Sequence, residues 1–517
     1  MKSSMIVCAM AALCIASAPL AARPAADAPS THHDAKAPHG TRSVTKGSVT
    51  VEGKRIDYTA TAGTIILRDI HGKPTGSMFY VAYVKDGVKN RDDRPLTFFY
   101  NGGPGSSTMW LHMGAFGPQR IVTADHTHTP PGPYHLTNND YSLLDVTDEV
   151  FIDMMSTGYS RIIGKDQGGV GKWQDFYGVD PDVKSFAQFI QRYLNQTGRS
   201  MSPKYLYGES YGTLRSEVLA NYLQKVEDID LNGVVLQSAY MGNAVPRGSD
   251  IQYATDLPTM AADAWYHKKL PNQPAELKPF LAKVEQFATN EYLLALTKGN
   301  TLDAAERKTV IRKLHDFTGL SEAYLDKANL RVSPREFFHE LLNGQDLTIG
   351  RLDGRFAQAS MDPLSQGMEY DTQAASISSA YAAGFNYYVH NILKYGQDQL
   401  YRPEAYGIVH AHPWSQEDEN LATRRKIRNV NGAINLAQAL KFNPHLRVEV
   451  EAGYYDFATP FYGMVYGVNH MDIPKNLQSH VQFKYYESGH MIYVRIPDLK
   501  QLHDNVAAFM GETHSVQ

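Results

Sequence analysis

Residues 208–212 read Gly-Glu-Ser-Tyr-Gly and place a serine between two glycines at the spacing of a nucleophile elbow. An apolar run at 205–207 precedes this segment. The residues that follow it repeat with the period of a helix, at Leu214, Val218, Leu219, Tyr222 and Leu223. In such a strand–turn–helix the serine backbone is strained, and glycine on either side lets strand and helix approach closely. The pattern predicts Ser210 as a nucleophile; on its own it also fits an ordinary serine in a glycine-rich turn.

A serine hydroxyl is a poor nucleophile, so it needs a base within hydrogen-bond reach and a carboxylate that orients the base. In this topology the acid and then the base follow late strands. Asp456 comes just after a predicted strand at 448–450, and His490 comes just after another at 481–486. We therefore predict a Ser210–His490–Asp456 triad. His470 is the rival base, but no clear strand pattern precedes it.

The tetrahedral intermediate of such a reaction needs backbone N–H donors for its oxyanion. Residues 101–105 read Asn-Gly-Gly-Pro-Gly and follow a predicted strand that ends at Tyr100. Consecutive glycines let N–H groups face a ligand without a side chain in the way. The amide of Tyr211, directly after the nucleophile, is the expected second donor. A plain turn is the alternative interpretation of the glycine run.

Elements that would position these residues alternate between buried strands and amphipathic helices. Strand patterns occur at 49–84 (several short ones), 96–100, 150–153, 205–207 and 234–236. A helical stripe runs through Phe186, Phe189, Ile190, Tyr193 and Leu194. Strand–helix alternation predicts an α/β fold with a mainly parallel sheet and helices on both faces.

This alternation is interrupted by a long helix-rich and polar stretch. We predict a core in two parts, 47–242 and 425–517, separated by a helical cap insertion at 243–424. With 517 residues, of which 43% are hydrophobic, the chain is long enough for a large core of this kind.

The first 22 residues are typical of a secretory signal peptide: Lys2 is followed by an alanine-rich apolar run and small residues. The apolar run is shorter than the ~20 residues that a membrane span needs, so no membrane anchor is expected after cleavage. Both cysteines, Cys8 and Cys14, lie in this segment, so the mature protein would contain no disulfide. We expect a periplasmic or secreted protein, with a disordered linker at 23–46 that is rich in Pro, Ala, His and Thr.

Composition disfavours several other kinds of site. A formal net charge of -4 gives no indication of a nucleic-acid or anionic-membrane partner. His126 with His128, and His410 with His412, lack further ligands at metal-site spacing. Residues 164–172 are glycine-rich but lack the Gly-Lys-Ser/Thr of a phosphate-binding loop. We expect no metal and no cofactor.

Taken together, these motifs resemble the serine carboxypeptidase family, that of carboxypeptidase Y and cathepsin A, and its bacterial members in particular. The matching stretches occur in order at 101–107, 116–118, 139–142, 150–153, 157–160, 208–212, Asp456 and 489–491. Glutamate directly before the nucleophile, combined with Asn-Gly-Gly-Pro-Gly, is quite specific to this family among α/β-hydrolases. The resemblance implies an α/β-hydrolase fold and an exopeptidase that removes C-terminal residues from peptides through an acyl-enzyme.

The resemblance also implies roles for residues near the triad. Gly103 and Tyr211 would form the oxyanion hole, while Asn101 and Glu209 would hold the C-terminal carboxylate of the peptide. Two carboxyl groups can bind each other only if they share a proton, so acidic conditions should favour peptide hydrolysis.

The sequence departs from the family at two positions. Ala115 stands where the family usually has a second glutamate, which weakens the acid pair, and Ser106 stands where many members have cysteine. An esterase or acyltransferase that uses the same triad is therefore the nearest alternative. A catalytically inactive binding protein is the alternative from another class.

Overall fold

The computed structural model describes residues 38–514 of the chain. Its strands, in chain order, are β1 (Arg42–Val51), β2 (Lys54–Arg68), β3 (Pro74–Lys85), β4 (Leu96–Tyr100), β5 (Gln119–Ile121), β6 (Leu136–Asn138), β7 (Asp148–Ile152), β8 (Arg161–Ile162), β9 (Lys204–Glu209), β10 (Gly233–Gln237), β11 (Leu347–Ile349), β12 (Ala357–Ala359), β13 (Asp418–Asn420), β14 (Arg425–Ile427), β15 (Arg447–Gly453) and β16 (Val481–Tyr486). Its α-helices are α1 (Val179–Thr197), α2 (Tyr211–Val226), α3 (Asp250–Tyr266), α4 (Leu277–Phe287), α5 (Leu293–Lys298), α6 (Ala304–Thr318), α7 (Glu322–Lys327), α8 (Pro334–Glu340), α9 (Thr372–Asn391), α10 (Tyr406–Val409), α11 (Gly432–Phe442), α12 (Phe461–Asn469), α13 (Lys475–Gln478) and α14 (Ile496–His514).

Ten of these strands form one sheet in the order β1-β2-β3-β7-β4-β9-β10-β15-β16, with β8 paired to β3. Strands β1, β2 and β3 pair antiparallel, as do β3 and β7. All pairs from β7 through β4, β9, β10 and β15 to β16 are parallel. The predicted α/β fold with a mainly parallel sheet is confirmed.

The central strands are buried on both faces, which explains their nearly continuous apolar sequences. Successive side chains alternate between two hydrophobic cores. Leu206 and Val234 lie in the core that includes residues of α1, α2 and α11. Tyr207 and Val235 lie in the core on the other face, which includes residues of α14. Helices therefore cover both faces of the sheet, as the sequence predicts.

Helices α3 to α10 occupy the long stretch between β10 and α11. Helix α3 packs against α4 and α6 and also against α12, which follows β15. The helix-rich region thus contacts a helix that follows a late strand of the sheet. None of the helices in residues 38–514 has the length and apolar character needed to cross a membrane.

The amino-terminal predictions fall mostly on residues that the structure does not describe. The signal peptide at 1–22 and the linker up to residue 37 lie outside the described residues. The predicted end of the linker at residue 46 is wrong, because β1 already begins at Arg42. Residues 42–51 pair with β2 along their whole length, from Arg42 opposite Gly63 to Val51 opposite Lys54. Backbone pairing stabilises this polar edge strand, so its sequence needs no apolar pattern that would predict a strand.

Candidate active site

Ser210 lies in the tight turn between β9 and α2, with φ 62° and ψ -129°. A side chain at the two flanking glycines would collide with backbone. A Cβ at Gly208 would lie 2.3 Å from the carbonyl oxygen of Gly212, and a Cβ at Gly212 would lie 2.9 Å from that of Tyr100. The strained left-handed conformation of a non-glycine residue, enforced by close packing, is the geometry expected of a nucleophile elbow.

The His490 imidazole is hydrogen-bonded to the Asp456 carboxylate, with Nδ1 and Oδ2 2.8 Å apart. Asp456 is fully buried, and it accepts further hydrogen bonds from the backbone N–H of Thr459 at 3.0 Å and from its hydroxyl at 2.7 Å. Ser238 donates its hydroxyl to the carbonyl oxygen of His490 at 2.7 Å, which holds the main chain of this residue. Both side chains come from loops after neighbouring parallel strands, β15 and β16.

Two opposing effects act on the pKa of His490. Burial lowers the pKa, whereas the charge of Asp456, its hydrogen bond and the charge of Glu209 raise it, and their sum places the pKa above the usual value. The imidazolium that forms when His490 accepts a proton is therefore stabilised by its surroundings.

A cavity of about 420 Å³ lies at the carboxyl ends of the central strands. Six of the seven residues predicted from the sequence line it: Asn101, Gly103, Glu209, Ser210, Tyr211 and His490. Asp456 does not line the cavity; it lies behind His490. Parallel strands end at the same edge of a sheet, so loops that are distant in sequence meet there.

The glycine run after β4 packs directly against the serine turn. A Cβ at Gly102 would lie 2.4 Å from the backbone nitrogen of Tyr211, so only glycine allows this approach. Gly103 follows with φ 107°, a conformation that favours glycine. The backbone of the Gly103 segment and the first turn of α2 thereby come together beside Ser210. Unpaired N–H groups at the start of a helix can donate hydrogen bonds to an anion.

Glu209 is a buried carboxyl group in the cavity wall. The Tyr493 hydroxyl donates to its Oε2 at 2.9 Å, and the Gln237 amide donates to the same atom at 3.2 Å. Burial raises the pKa of Glu209 to about 7, although the charge of His490 and hydrogen bonds from Tyr493 and Asn101 act in the opposite direction. The group can therefore carry or lose a proton near neutral pH.

Sequence reasoning did not find Tyr493 or Gln237. Tyr493 comes three residues after His490, and Gln237 ends β10, but no motif marks either residue as a partner of Glu209. Arg247 and Arg351, which also line the cavity, were missed as well. They lie in irregular segments that carry no recognisable pattern.

Ala115 is buried in a short helical segment, Leu111–Phe116. Asn139 donates its amide to the carbonyl oxygen of Ala115 at 2.8 Å. The preceding residue, Gly114, packs against aromatic side chains, because a Cβ there would lie 2.4 Å from the Tyr381 hydroxyl and 2.5 Å from the Tyr493 ring. Phenol groups rather than a second carboxyl group therefore surround this side of Glu209.

The histidine pairs considered as metal ligands make other contacts. The Nδ1 atom of His128 lies 2.7 Å from the carbonyl oxygen of Thr129, and His412 stacks on Trp173 with ring centroids 4.8 Å apart. Among the described residues, no three His, Cys, Asp or Glu side chains group as metal ligands would.

The chain is similar to known proteins of one family. A family model described as "Serine carboxypeptidase" matches residues 62–503. The chain is 28% identical over 170 residues to the pheromone-processing carboxypeptidase KEX1 of Saccharomyces cerevisiae, an alignment that covers 32% of this chain and 22% of that protein. For the protein of the same name in Yarrowia lipolytica the identity is 29% over 205 residues, covering 39% and 30%. The chain thus spans less than a third of the length of these curated relatives.

Similarity to a solved structure extends over more of the chain. The crystal structure of KEX1(delta)p, described as a prohormone-processing carboxypeptidase from Saccharomyces cerevisiae, superposes with a TM-score of 0.54 at 16% identity. The match covers 88% of this chain and 92% of the other. The shared architecture confirms the α/β-hydrolase fold.

Proposed function

The chain belongs to the serine carboxypeptidase family, and on that premise we propose that it is a serine-type carboxypeptidase that hydrolyses C-terminal peptide bonds through an acyl-enzyme. One observation carries the proposal: the His490–Asp456 hydrogen bond of 2.8 Å lies at the cavity that also contains the strained Ser210 turn.

In the proposed acylation step, Ser210 Oγ attacks the carbonyl carbon of the last peptide bond while His490 accepts its proton. Asp456 keeps the imidazole in the tautomer that can accept this proton and stabilises the resulting imidazolium. The N–H groups of Gly103 and Tyr211 stabilise the oxyanion. His490 then gives the proton to the departing amine as the C–N bond breaks.

Deacylation follows the same course with water in place of the hydroxyl group. His490 takes a proton from the water as it attacks the ester carbon, and then returns the proton to Ser210 Oγ. The products are the shortened peptide and one free amino acid, so no cofactor is required.

Recognition of the C-terminal carboxylate is assigned to Asn101 and Glu209. A protonated Glu209 can share its proton with the peptide carboxylate, whereas an ionised one repels it. The pKa of about 7 supports this role, because the neutral form is then populated under acidic conditions.

Peptides that differ only at the C-terminus test the proposal. A blocked peptide with a free C-terminal carboxylate should lose its last residue, and its C-terminal amide should react much more slowly. Ser210→Ala should abolish both reactions and also labelling by an active-site phosphonate. Equal rates for the acid, the amide and a simple ester would instead favour the esterase or acyltransferase alternative, which the alanine at position 115 supports. Labelling that persists in Ser210→Ala would exclude Ser210 as the nucleophile.

We further propose that the protein is exported after cleavage of residues 1–22 and acts in the periplasm or outside the cell. We also retain the division into core parts 47–242 and 425–517 with a cap at 243–424, apart from the corrected start of β1. Export is supported by the charged residue and apolar run at the amino terminus. Amino-terminal sequencing of the protein recovered from the periplasm or the medium should give a start shortly after the small residues near position 22.

A further inference from the structure

A second cavity, of about 520 Å³, adjoins the one that contains Ser210. The residues that line both are Tyr240, Arg247, Arg351, Ala458 and Thr459. Except for Arg351, which follows β11, these shared residues lie in the loops after β10 and β15. A substrate bound at Ser210 can therefore extend into the second cavity past these loops.

The second cavity is bordered by three arginines, Arg247, Arg335 and Arg351. All three are exposed. Within residues 38–514, the guanidinium groups of Arg247 and Arg351 form no hydrogen bond or ion pair, and that of Arg335 donates to the carbonyl oxygen of Met368 at 3.2 Å. Elsewhere in the structure arginines commonly pair with carboxylates, as Arg215 does with Asp182 at 2.7 Å. These three positive charges are thus available to a ligand.

Of the described residues that line this cavity, Asp256 is the acidic one. It is buried on α3, and burial raises its pKa to about 7, against a hydrogen bond from Gln252 that lowers it. At mildly acidic pH this carboxyl group is neutral, so it does not balance the arginines.

The rest of the wall is largely apolar, with Phe338, Met368, Phe457 and Met464 among its residues. The apolar wall suits the aliphatic part of a bound side chain, and the arginines can donate charge-assisted hydrogen bonds to its carboxylate. The combination of a mainly apolar pocket with a few charged groups is characteristic of a ligand site.

Strand order places this cavity on a definite side of Ser210. Asn101 follows β4 and Ser210 follows β9, whereas the second cavity is bordered by loops after β10 and β15. If Asn101 and Glu209 hold the C-terminal carboxylate, as the proposed function requires, the second cavity lies on the opposite side of the nucleophile. It then faces the part of the substrate that precedes the scissile bond.

We infer that the second cavity is a subsite for an acidic side chain: it binds the carboxylate of a glutamate or aspartate that precedes the scissile bond, so that the substrates are acidic peptides. This inference rests on the proposed carboxypeptidase function.

Matched peptides test the inference. The substrates are N-terminally blocked peptides with a free C-terminus. They carry either Glu or Gln at one of two positions, the second or the third residue from the C-terminus. The value of kcat/KM is measured at about pH 6, where the glutamate side chain is ionised. For at least one position the Glu peptide should be favoured roughly tenfold. The double variant Arg247→Gln/Arg335→Gln should bring this ratio close to one. Arg351 is left intact, because its charge also lowers the pKa of His490.

Arg428→Gln is the matched control, since this side chain is 88% exposed and does not line either cavity. It should leave the Glu-to-Gln ratio as in the wild type. The inference is overturned if the wild type trims both peptides at equal rates, if the double variant keeps the wild-type ratio, or if Arg428→Gln lowers the ratio as much. Equal losses on both peptides would also overturn it, because they would place the arginines on the terminal carboxylate. Absence of trimming with either peptide would reject the proposed function itself.

Discussion

At the scale of single residues, two titratable groups face the same cavity and depend on each other. His490 has a raised pKa because Asp456 and Glu209 together outweigh burial, and Glu209 has a pKa of about 7 because burial outweighs the groups that stabilise its charge. The proposed reaction needs a neutral His490 to accept a proton and a neutral Glu209 to hold the peptide carboxylate. These requirements confine efficient peptide hydrolysis to a limited pH range.

The first prediction concerns the hydrogen bond that orients His490. Asp456→Asn should reduce kcat by about 10⁴-fold, because an amide favours the tautomer of His490 that cannot accept the proton of Ser210. Steady-state kinetics on a free-acid peptide measures this loss, and thermal melting checks that the fold is kept. Asp472→Asn, at a fully exposed side chain, is the control that should retain wild-type kinetics. An Asp456→Asn enzyme with more than a tenth of wild-type kcat would contradict the assigned role.

The second prediction concerns Glu209. As the pH rises through about 7, Glu209 loses its proton, so KM for free-acid peptides should rise by up to tenfold per pH unit. A simple ester, which lacks the carboxylate, should show no such rise. In Glu209→Gln the dependence should disappear, because an amide does not titrate. A peptidase rate that stays flat from about pH 4 to 8 would falsify proton sharing by Glu209.

At the scale of elements, the turn between β9 and α2 connects local strain to reactivity. Ser210 keeps φ at 62° because β9, α2 and the loop after β4 are packed around it at distances that exclude side chains. The cost of a strained residue, of the order of 1–3 kcal/mol, is offset by packing of the surrounding elements. Ser210 and Tyr211, the first residue of α2, both line the cavity as a result.

The third prediction tests this close packing. In Gly208→Ala the added Cβ would lie 2.3 Å from the carbonyl oxygen of Gly212, so β9 and α2 must move apart. We expect the free energy of unfolding to fall by about 1–3 kcal/mol and phosphonate labelling of Ser210 to slow markedly. Gly344→Ala is the matched control, because a Cβ there meets no atom within 4 Å. Labelling at the wild-type rate in Gly208→Ala would show that the turn tolerates a side chain.

At the scale of the whole molecule, some of the described carboxyl groups are buried without a hydrogen-bonded partner. Both carboxylate oxygens of Glu217 and of Asp263 are buried and lack a hydrogen-bond partner among the described residues. Burial raises the pKa of each well above its usual value. Both groups are therefore neutral in the folded protein over a range in which they are ionised in the unfolded chain.

The fourth prediction follows from the sign of this shift. A carboxyl group with a raised folded-state pKa contributes its full stability below its unfolded value, near pH 4, and loses it as pH rises toward the folded value. Glu217→Gln removes one such group, so stability relative to wild type should increase between pH 4 and 7, by at most about 1.4 kcal/mol per pH unit. Denaturant unfolding at several pH values measures this difference. Glu276→Gln, at an exposed side chain, is the control, and the same slope in both variants would refute the assignment.

The sequence by itself determined the features that depend on neighbouring residues. The strands at 96–100 and 205–207 and the helical stripe of α1 could be predicted because buried strands and amphipathic helices carry local patterns. The nucleophile elbow could be predicted because its two glycines are required by close packing within a single turn. The order of Ser210, Asp456 and His490 follows from the order of the strands, and their assignment as a triad stays a prediction that kinetics will test.

Tertiary structure alone decided what depends on contacts between distant segments. The start of β1 at Arg42 follows from pairing with β2, which polar residues do not signal. The Tyr493 hydroxyl reaches Glu209 across 284 positions of sequence, and Arg247, Arg335 and Arg351 meet at one cavity from three separate segments. Such contacts produce no periodic pattern in the sequence, because a contact between distant segments does not restrict the residue types next to either partner. The arginines of the proposed acidic subsite therefore emerge only when the sheet brings the ends of its strands to one edge.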